Sequence, residues 1–369
     1  MSILQAIILG IVQGLTEFIP ISSTAHLVLA SRFVGLGETL NSEQTTAVIA
    51  VIQLGTLLAV LVYFAGDILK ITRAFIVDHL ALLRGRKSEA ALEMTMMGQK
   101  QSRLSEDAWL GWLIIIGSIP IATIGLLLKK IIEGPFTKNL YVIATMMIVV
   151  AIGLGVAELV SRRRARHRNL NELGIRDALA VGGAQCLALI PGASRSGSTI
   201  MAGLFVGEGR ETAARFSFLL SIPAIAASGL LELKEAADKL PEGSFLPLAV
   251  ATVVSGVVGY LSIWFLLRFL RTHTTGIFIG YRIIVGLLIF GLVFANVVSP
   301  YYGTEAATEQ KNAQPAPAAS PSPSPQQQKV AEPLPEARPG TNNNPEDSVN
   351  FNRPSRRARR SSDKRKGGR

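Results

Sequence analysis

Gln13-Gly14-Leu15-Thr16-Glu17-Phe18-Ile19-Pro20-Ile21-Ser22-Ser23-Thr24-Ala25-His26 lies inside an apolar stretch, Ile3 to Val34, and decides how the chain is read. Gln13 and Glu17 are four residues apart, so on a helix they share one face. Pro20 then breaks that helix, because it lacks an amide hydrogen and its ring clashes with the preceding turn. The freed backbone of Ser22, Ser23 and Thr24 needs partners that hydrocarbon does not supply, so the break has to lie inside protein or beside a water-filled cavity. Ionisable Glu17 and His26 are costly at membrane depth and are functional-site candidates by default. The simpler alternative is that they only satisfy each other in a helix break.

The membrane setting follows from the rest of the chain. Of its 369 residues 49% are hydrophobic and 17% charged, whereas a soluble domain carries about 25% charged residues. Thr46–Ile68, Trp109–Leu128, Leu140–Val160, Ala213–Leu231, Leu246–Leu270 and Gly276–Val298 each read as a helix able to cross the bilayer, for which roughly 20 apolar residues are needed. A second interrupted stretch, Ala178 to Val206, is broken at Pro191-Gly192-Ala193-Ser194-Arg195-Ser196-Gly197. Gly10, Gln13, Pro20 and Ser23 recur in order as Gly182, Gln185, Pro191 and Ser194, and Phe33-Val34-Gly35 recurs as Phe205-Val206-Gly207. Each half is thus one interrupted segment plus three spans, an odd number that inverts the second copy if the interrupted segments dip in and return. Matched helix breaks in inverted halves point to a site near the bilayer midplane. The expected fold is all-α and integral to the membrane: an inverted repeat of six transmembrane helices plus two re-entrant helical hairpins. Residues 1–298 form its one domain, with halves at about 1–160 and 175–298.

The net charge of +11 is divided, with twelve Lys/Arg against seven Asp/Glu after Val298. In the body, Arg84, Arg86 and Lys87, and Arg162, Arg163, Arg164, Arg166 and Arg168, cluster beside apolar spans as short cytoplasmic loops do. Placing them inside puts the acidic loop at Glu38 and Glu43 and both termini outside. The first apolar run has no basic lead and no small-residue cleavage site, so it does not read as a signal peptide. Residues 299–369 are Pro/Ser-rich, then Gln/Asn-rich, then basic, and should be disordered. The tail lacks a nucleic-acid-binding fold and interleaved aromatics, so no nucleic-acid partner is expected. The single Cys186 excludes a disulfide framework.

The second break supplies the charge opposite to Glu17. Arg195 offers a planar fork suited to phosphate oxygens, and the hydroxyls and glycines around it let an anion approach a following helix N-terminus. Arg195 also reads as the partner of a buried carboxylate such as Glu17; in a fold that joins the breaks the two readings coincide.

Gln13-x-x-x-Glu17 with Phe-Ile-Pro-Ile-Ser-Ser-Thr-Ala-His26, together with Pro191-Gly-Ala-Ser-Arg-Ser-Gly-Ser-Thr199, resembles the undecaprenyl-diphosphate phosphatases of the bacitracin-resistance family. Gln53-Leu54-Gly55, Phe216-Ser217-Phe218-Leu219-Leu220 and Tyr281-Arg282 extend the resemblance over about Met1 to Val298. It implies a site opening to the outer face of the bacterial plasma membrane, and hydrolysis of a polyprenyl diphosphate lipid helped by a divalent cation, Mg or Ca. By motif position, Ser23 is the implied nucleophile, His26 its proton partner, and Glu17 the general base or metal ligand. Arg195 is the implied diphosphate clamp, and Gln13, Ser22, Ser194, Ser196 and Thr199 bind substrate. Gln13 stands where some relatives carry Glu. Covalent attack by Ser23 and attack by a water both remain open, as does the oligomeric state, a homodimer included. A lipid-carrier transporter without hydrolysis is the rival from another class, because broken helices in inverted repeats are its hallmark.

Overall fold

The computed structural model describes residues 1–36, 40, 42–85, 104–128, 139–237 and 243–301. The expected acidic-loop residue Glu38, the basic Arg86 and Lys87, and the tail from 302 lie outside them. Among the described residues there are eleven α-helices: α1 Ile3–Phe18, α2 Ser23–Phe33, α3 Ser42–Tyr63, α4 Ala65–Leu83, α5 Glu106–Leu127, α6 Leu140–Arg162, α7 Ile175–Gln185, α8 Arg195–Val206, α9 Arg210–Ala237, α10 Phe245–Thr272 and α11 Gly276–Phe294. Six of them, α3, α5, α6, α9, α10 and α11, are long and apolar enough to cross a membrane. These are the six spans read from the sequence, with ends moved by a few residues. Large apolar side chains such as Leu126, Ile152, Val253 and Ile284 remain more than half uncovered by protein on their outer faces, as expected where lipid replaces water.

The first span differs most from expectation. The apolar run continues to Ile68, but α3 stops at Tyr63, Phe64 leaves helical geometry, and a separate α4 begins. Asp67 in its first turn pairs with Arg215 of α9 at 2.9 Å. Asp67, Lys70 and Arg73, spaced three apart, give α4 a charged stripe that a lipid-crossing helix cannot carry cheaply.

The short helices pair by sequence order. Ser2 caps α1 in a reciprocal box with Gln5, and Gln5 Nε2 also donates to the Val34 carbonyl at 2.7 Å. The start of α1 therefore touches the end of α2, and the two form a hairpin; α7 and α8 pack against each other likewise. Each hairpin finds its groove in the other half of the chain. A Cβ on Gly10 would lie 2.6 Å from the Ala251 carbonyl oxygen of α10, and one on Gly182 would lie 2.0 Å from the Gly117 carbonyl oxygen of α5. Such approach is open only to glycine, and small residues are what let helices meet without a hydrophobic drive between them. The chain after α11 stays attached: Leu140 N donates to the Pro300 carbonyl at 2.7 Å, and Arg32 Nη2 reaches the Ser299 and Tyr301 carbonyls at 3.2 and 3.0 Å. The folded unit thus runs at least to Tyr301, three residues beyond the expected boundary.

A second polar centre sits where α8 turns into α9. Arg168 pairs Pro-free backbone with this turn, its amide donating to the Gly207 carbonyl at 2.9 Å, while its guanidinium grips Asp177 at 2.9 and 2.6 Å. Glu208, in the same turn, is fully buried and neither carboxyl oxygen has a hydrogen-bond partner. Burial, reinforced by the nearby Asp177 charge and partly offset by Arg168, pushes its carboxyl up to about 8. With the folded value above the ordinary 4.5, the folded state holds the extra proton. The resulting stability is fully present below about 4.5 and is lost as pH rises through about 8. Thermal unfolding in detergent should therefore show the wild-type melting temperature falling between about pH 5 and pH 8, and Glu208→Gln lacking that fall and exceeding wild type at the alkaline end. Identical pH slopes for the two proteins would contradict a neutral Glu208.

Candidate active site

The two helix breaks meet, and the residues that join them come from four helices. In the first, α1 ends at Phe18 and α2 starts at Ser23; in the second, a 3₁₀ turn at Cys186–Leu189 follows α7 and α8 starts at Arg195. Ser196 Oγ donates to the Ile19 carbonyl at 3.3 Å. Arg282 of α11 does most of the joining. Its Nη1 donates to the Pro20 carbonyl at 3.3 Å, its Nη2 to the Gly192 and Ala193 carbonyls, both at 2.9 Å, and its Nε to the Met147 carbonyl of α6 at 3.1 Å. It is 0% exposed. Buried carbonyls left unmatched each cost about 1–3 kcal/mol, so a fixed five-donor fork aimed at both breaks is a strong constraint on their shape.

Both breaks reach their next helix through a residue of positive φ, Ser22 at 81° and Ser194 at 69°. The structural register is therefore offset from the sequence repeat: Ser22, not Ser23, matches Ser194 as helix N-cap, and Ser23 takes the first helical position that Arg195 takes in α8. Gly192, at φ 91°, lies so close to α6 that a Cβ would be 2.2 Å from the Ile143 carbonyl oxygen. Ser194 Oγ accepts from Gly197 N at 3.1 Å, whereas α2 has no side-chain cap. The first amides of α2 consequently remain available at a helix N-terminus, an arrangement suited to an anion.

Charge is concentrated at the same place. Arg195 Nη2 donates to Glu17 Oε1 at 2.9 Å, and Gln13 Nε2 donates to Glu17 Oε2 at 3.0 Å while lying 3.3 Å from Thr56 Oγ1. Gln13 and Glu17 do share one helix face, and Glu17 is the partner of Arg195 across the breaks. Arg195 Nη1 is buried and has no partner. A guanidinium with one nitrogen paired to a carboxylate and the other buried without a partner keeps donors that suit an anion oxygen.

The remaining expected site residues divide. Ser23 and Ser194 are partly exposed at the helix starts. Ser22 and Ser196 are buried, and Ser196 spends its hydroxyl on the opposite break. Thr199 is fully buried, with Oγ1 2.8 Å from the Arg195 carbonyl and 2.5 Å from Ser217 Oγ, so its hydroxyl braces α8 against α9 and does not face a substrate. His26 does not meet Ser23: its Nδ1 lies 2.7 Å from the Ser22 carbonyl and its Nε2 2.8 Å from the Tyr281 hydroxyl. Arg282, Tyr281 and Thr56 had no role assigned from sequence. Arg282 could have been found by the rule applied to Glu17, since it is an ionisable residue inside an apolar span.

A divalent cation fits these side chains poorly. Glu17 is the one carboxylate joined to the breaks by the hydrogen bonds above, both its oxygens are engaged, and a guanidinium lies 2.9 Å away. Among the described residues no group of three or more His, Cys, Asp or Glu could hold a metal ion. Hard cations take several oxygen ligands, and no step below is routed through one.

Arg282→Lys keeps the charge and loses the fork, leaving carbonyls of both breaks unmatched. It should lower stability by roughly 3 kcal/mol and raise amide hydrogen exchange at residues 19–23 and 191–195 above that of the neighbouring helices. Unchanged exchange at both breaks would show that Arg282 does not hold them.

The family model described as "Bacitracin resistance protein BacA" matches residues 6–288. The undecaprenyl-diphosphatase of Syntrophobacter fumaroxidans is 51% identical over 298 residues, which cover 81% of this chain and 100% of that protein. The proteins of the same name from Chlorobaculum tepidum and Mycolicibacterium vanbaalenii are 46% and 45% identical, over 78% and 81% of this chain and 95% and 99% of their own lengths. The matched residues include both breaks and every helix that shapes them, so the chain belongs to the bacitracin resistance protein BacA family.

Proposed function

We propose that the protein hydrolyses undecaprenyl diphosphate to undecaprenyl phosphate and inorganic phosphate, regenerating the lipid carrier of peptidoglycan synthesis and thereby giving bacitracin resistance. The observation that carries this reading is the Glu17–Arg195 pair across the two breaks, with Arg195 Nη1 buried and unpartnered. Membership of the family and the name borne by its curated relatives agree with it. Phosphoryl transfer asks mainly for positioning and for stabilisation of charge on the phosphate oxygens. Arg195 Nη1 and the uncapped amides of α2 are the groups placed to give it. Ser23, first residue of α2, is the nucleophile in this reading: its oxygen attacks the terminal phosphorus, the bond to the bridging oxygen breaks, and undecaprenyl phosphate leaves. Water then releases phosphate from Ser23. Glu17 is the general base, with Gln13 holding the carboxylate oxygen that Arg195 does not.

The architecture that goes with this function is an inverted repeat whose two hairpins re-enter the face they left. Supporting it, α1 of 16 residues and α2 of 11 are about 24 and 17 Å long, and α7 and α8 have 11 and 12 residues. All fall short of the roughly 30 Å hydrocarbon thickness. The exchange of grooves, α1 on α10 and α7 on α5, has the symmetry of such a repeat. The basic loop Arg162–Arg168 supports a cytoplasmic position for that end in the bacterial plasma membrane, with the site opening outward.

Phosphate release from undecaprenyl diphosphate by the purified protein in detergent tests the reading. Ser23→Ala and Glu17→Gln should each lower kcat by about a hundredfold or more. Arg195→Lys should be as severe, because it loses the two-pronged geometry. Near-normal kcat in Ser23→Ala with a raised KM would make Ser23 a binding residue and leave attack to a water activated by Glu17. Movement of the lipid across vesicles without phosphate release would replace hydrolysis with transport.

In this reading the tail takes no part in the chemistry, as the family match ends at residue 288. A chain truncated after Tyr301 should keep turnover within about tenfold of wild type, a change of less than roughly 1.4 kcal/mol in the barrier. A larger loss would assign the tail a direct role.

A further inference from the structure

Ser22 O can only accept, so the His26 nitrogen 2.7 Å from it, Nδ1, carries the hydrogen, and Nε2 presents a lone pair. The Tyr281 hydroxyl, 2.8 Å from Nε2, is then the donor to it. The two rings also lie nearly parallel, 9° between planes with centroids 5.5 Å apart. His26 is therefore fixed at both nitrogens and on one face. Two of the three restraints come from Tyr281, which precedes Arg282 in α11. Because Arg282 binds the carbonyls of both breaks, α11 cannot shift without disturbing them, and Tyr281 inherits a fixed position relative to Ser22 and Ser23. The third restraint comes from Ser22, whose positive φ of 81° places its carbonyl at the start of α2.

We propose that Tyr281 is a positioning residue for the reaction, holding His26 in the Nδ1–H tautomer with the Nε2 lone pair aimed at the Tyr281 hydroxyl until substrate enters. The inference rests on the proposed hydrolysis and on His26 as the proton partner that the family resemblance implies. A phenolic hydroxyl suits the task because it donates to a neutral imidazole and can turn to accept from an imidazolium, so His26 keeps its orientation in either protonation state. Phenylalanine keeps the stacked ring and loses that bond. Tyr281 is 41% exposed, so removing its hydroxyl leaves no buried group unmatched on its own side and little reason for the fold to suffer.

The test uses the full-length protein in detergent and three variants, Tyr281→Phe, His26→Ala and the two combined, assayed for phosphate release from undecaprenyl diphosphate. Tyr281→Phe should lower kcat about tenfold with KM within about twofold, and its melting temperature should match wild type. The combined variant should be no slower than His26→Ala alone, since a group acting through His26 has nothing left to act on. Nitrogen-15 NMR of histidine-labelled protein gives a readout independent of turnover, the His26 signals being identified by their loss in His26→Ala. Wild type should show the Nδ1–H tautomer, and Tyr281→Phe a mixture of tautomers. An unchanged tautomer in Tyr281→Phe, losses that multiply in the combined variant, or an effect on KM alone would overturn the positioning role. Wild-type protein that releases no phosphate while showing the expected tautomer change would overturn the proposed reaction and leave the Tyr281–His26 restraint standing.

Discussion

Two interrupted helices inside a membrane protein create a backbone problem, and a single buried guanidinium solves it for both. Carbonyls freed at Pro20 and at Gly192 and Ala193 have no water to turn to, and Arg282 meets all three while also holding Met147 of α6. Once the breaks are fixed together, Glu17 at the end of α1 and Arg195 at the start of α8 come within 2.9 Å. The start of α2 at Ser23 keeps its first amides uncapped, whereas Ser194 Oγ caps the start of α8. The Glu17–Arg195 pairing is thus a by-product of satisfying backbone in an apolar surrounding.

Similar logic operates at the end of α6. Glu158 accepts from Arg162, from Arg210 of α9 and from the Thr275 hydroxyl ahead of α11, at distances from 2.5 to 3.1 Å. One carboxylate thus secures three helices. A buried charge is tolerated only when it is paired and hydrogen-bonded, and Glu158 has three basic or polar partners where Glu208 has none. Glu158 is thus fully satisfied, whereas burial without a partner pushes the Glu208 carboxyl up.

Much of this was legible in the sequence because it rests on rules that act locally. Pro20 and Pro191 fall between helices as read, although Pro120 and Pro223 are carried inside α5 and α9; six apolar runs of sufficient length become spans, and Gln13 and Glu17 share a face by spacing alone. The pairing of Glu17 with Arg195 was readable as charge complementarity once the repeats were seen. What escaped depends on tertiary neighbours. The end of α3 at Tyr63 follows from Asp67 meeting Arg215, which lies 148 residues further on. The offset between Ser22 and Ser194 comes from backbone angles that the letters do not encode, since the repeat Pro20…Ser23 and Pro191…Ser194 aligns the wrong serines. Thr199 looks like one more hydroxyl in a phosphate-binding run until Ser217 is found 2.5 Å away.

The exchange of grooves between the halves also sets an order of events on the ribosome. Gly10 and Gly14 of the first hairpin rest on Ala251, Ser255 and Val258, so their seat does not exist until about 240 more residues have been made. At roughly 5–20 residues per second that is a wait of about ten to fifty seconds. Throughout it α1 and α2, each too short to cross the bilayer and each carrying polar residues at their junction, must be held by insertion machinery or linger at the lipid–water boundary. Assembly of this protein is consequently a late, long-range closing step, and nascent chains stalled before Phe245 should be its most degradation-prone form.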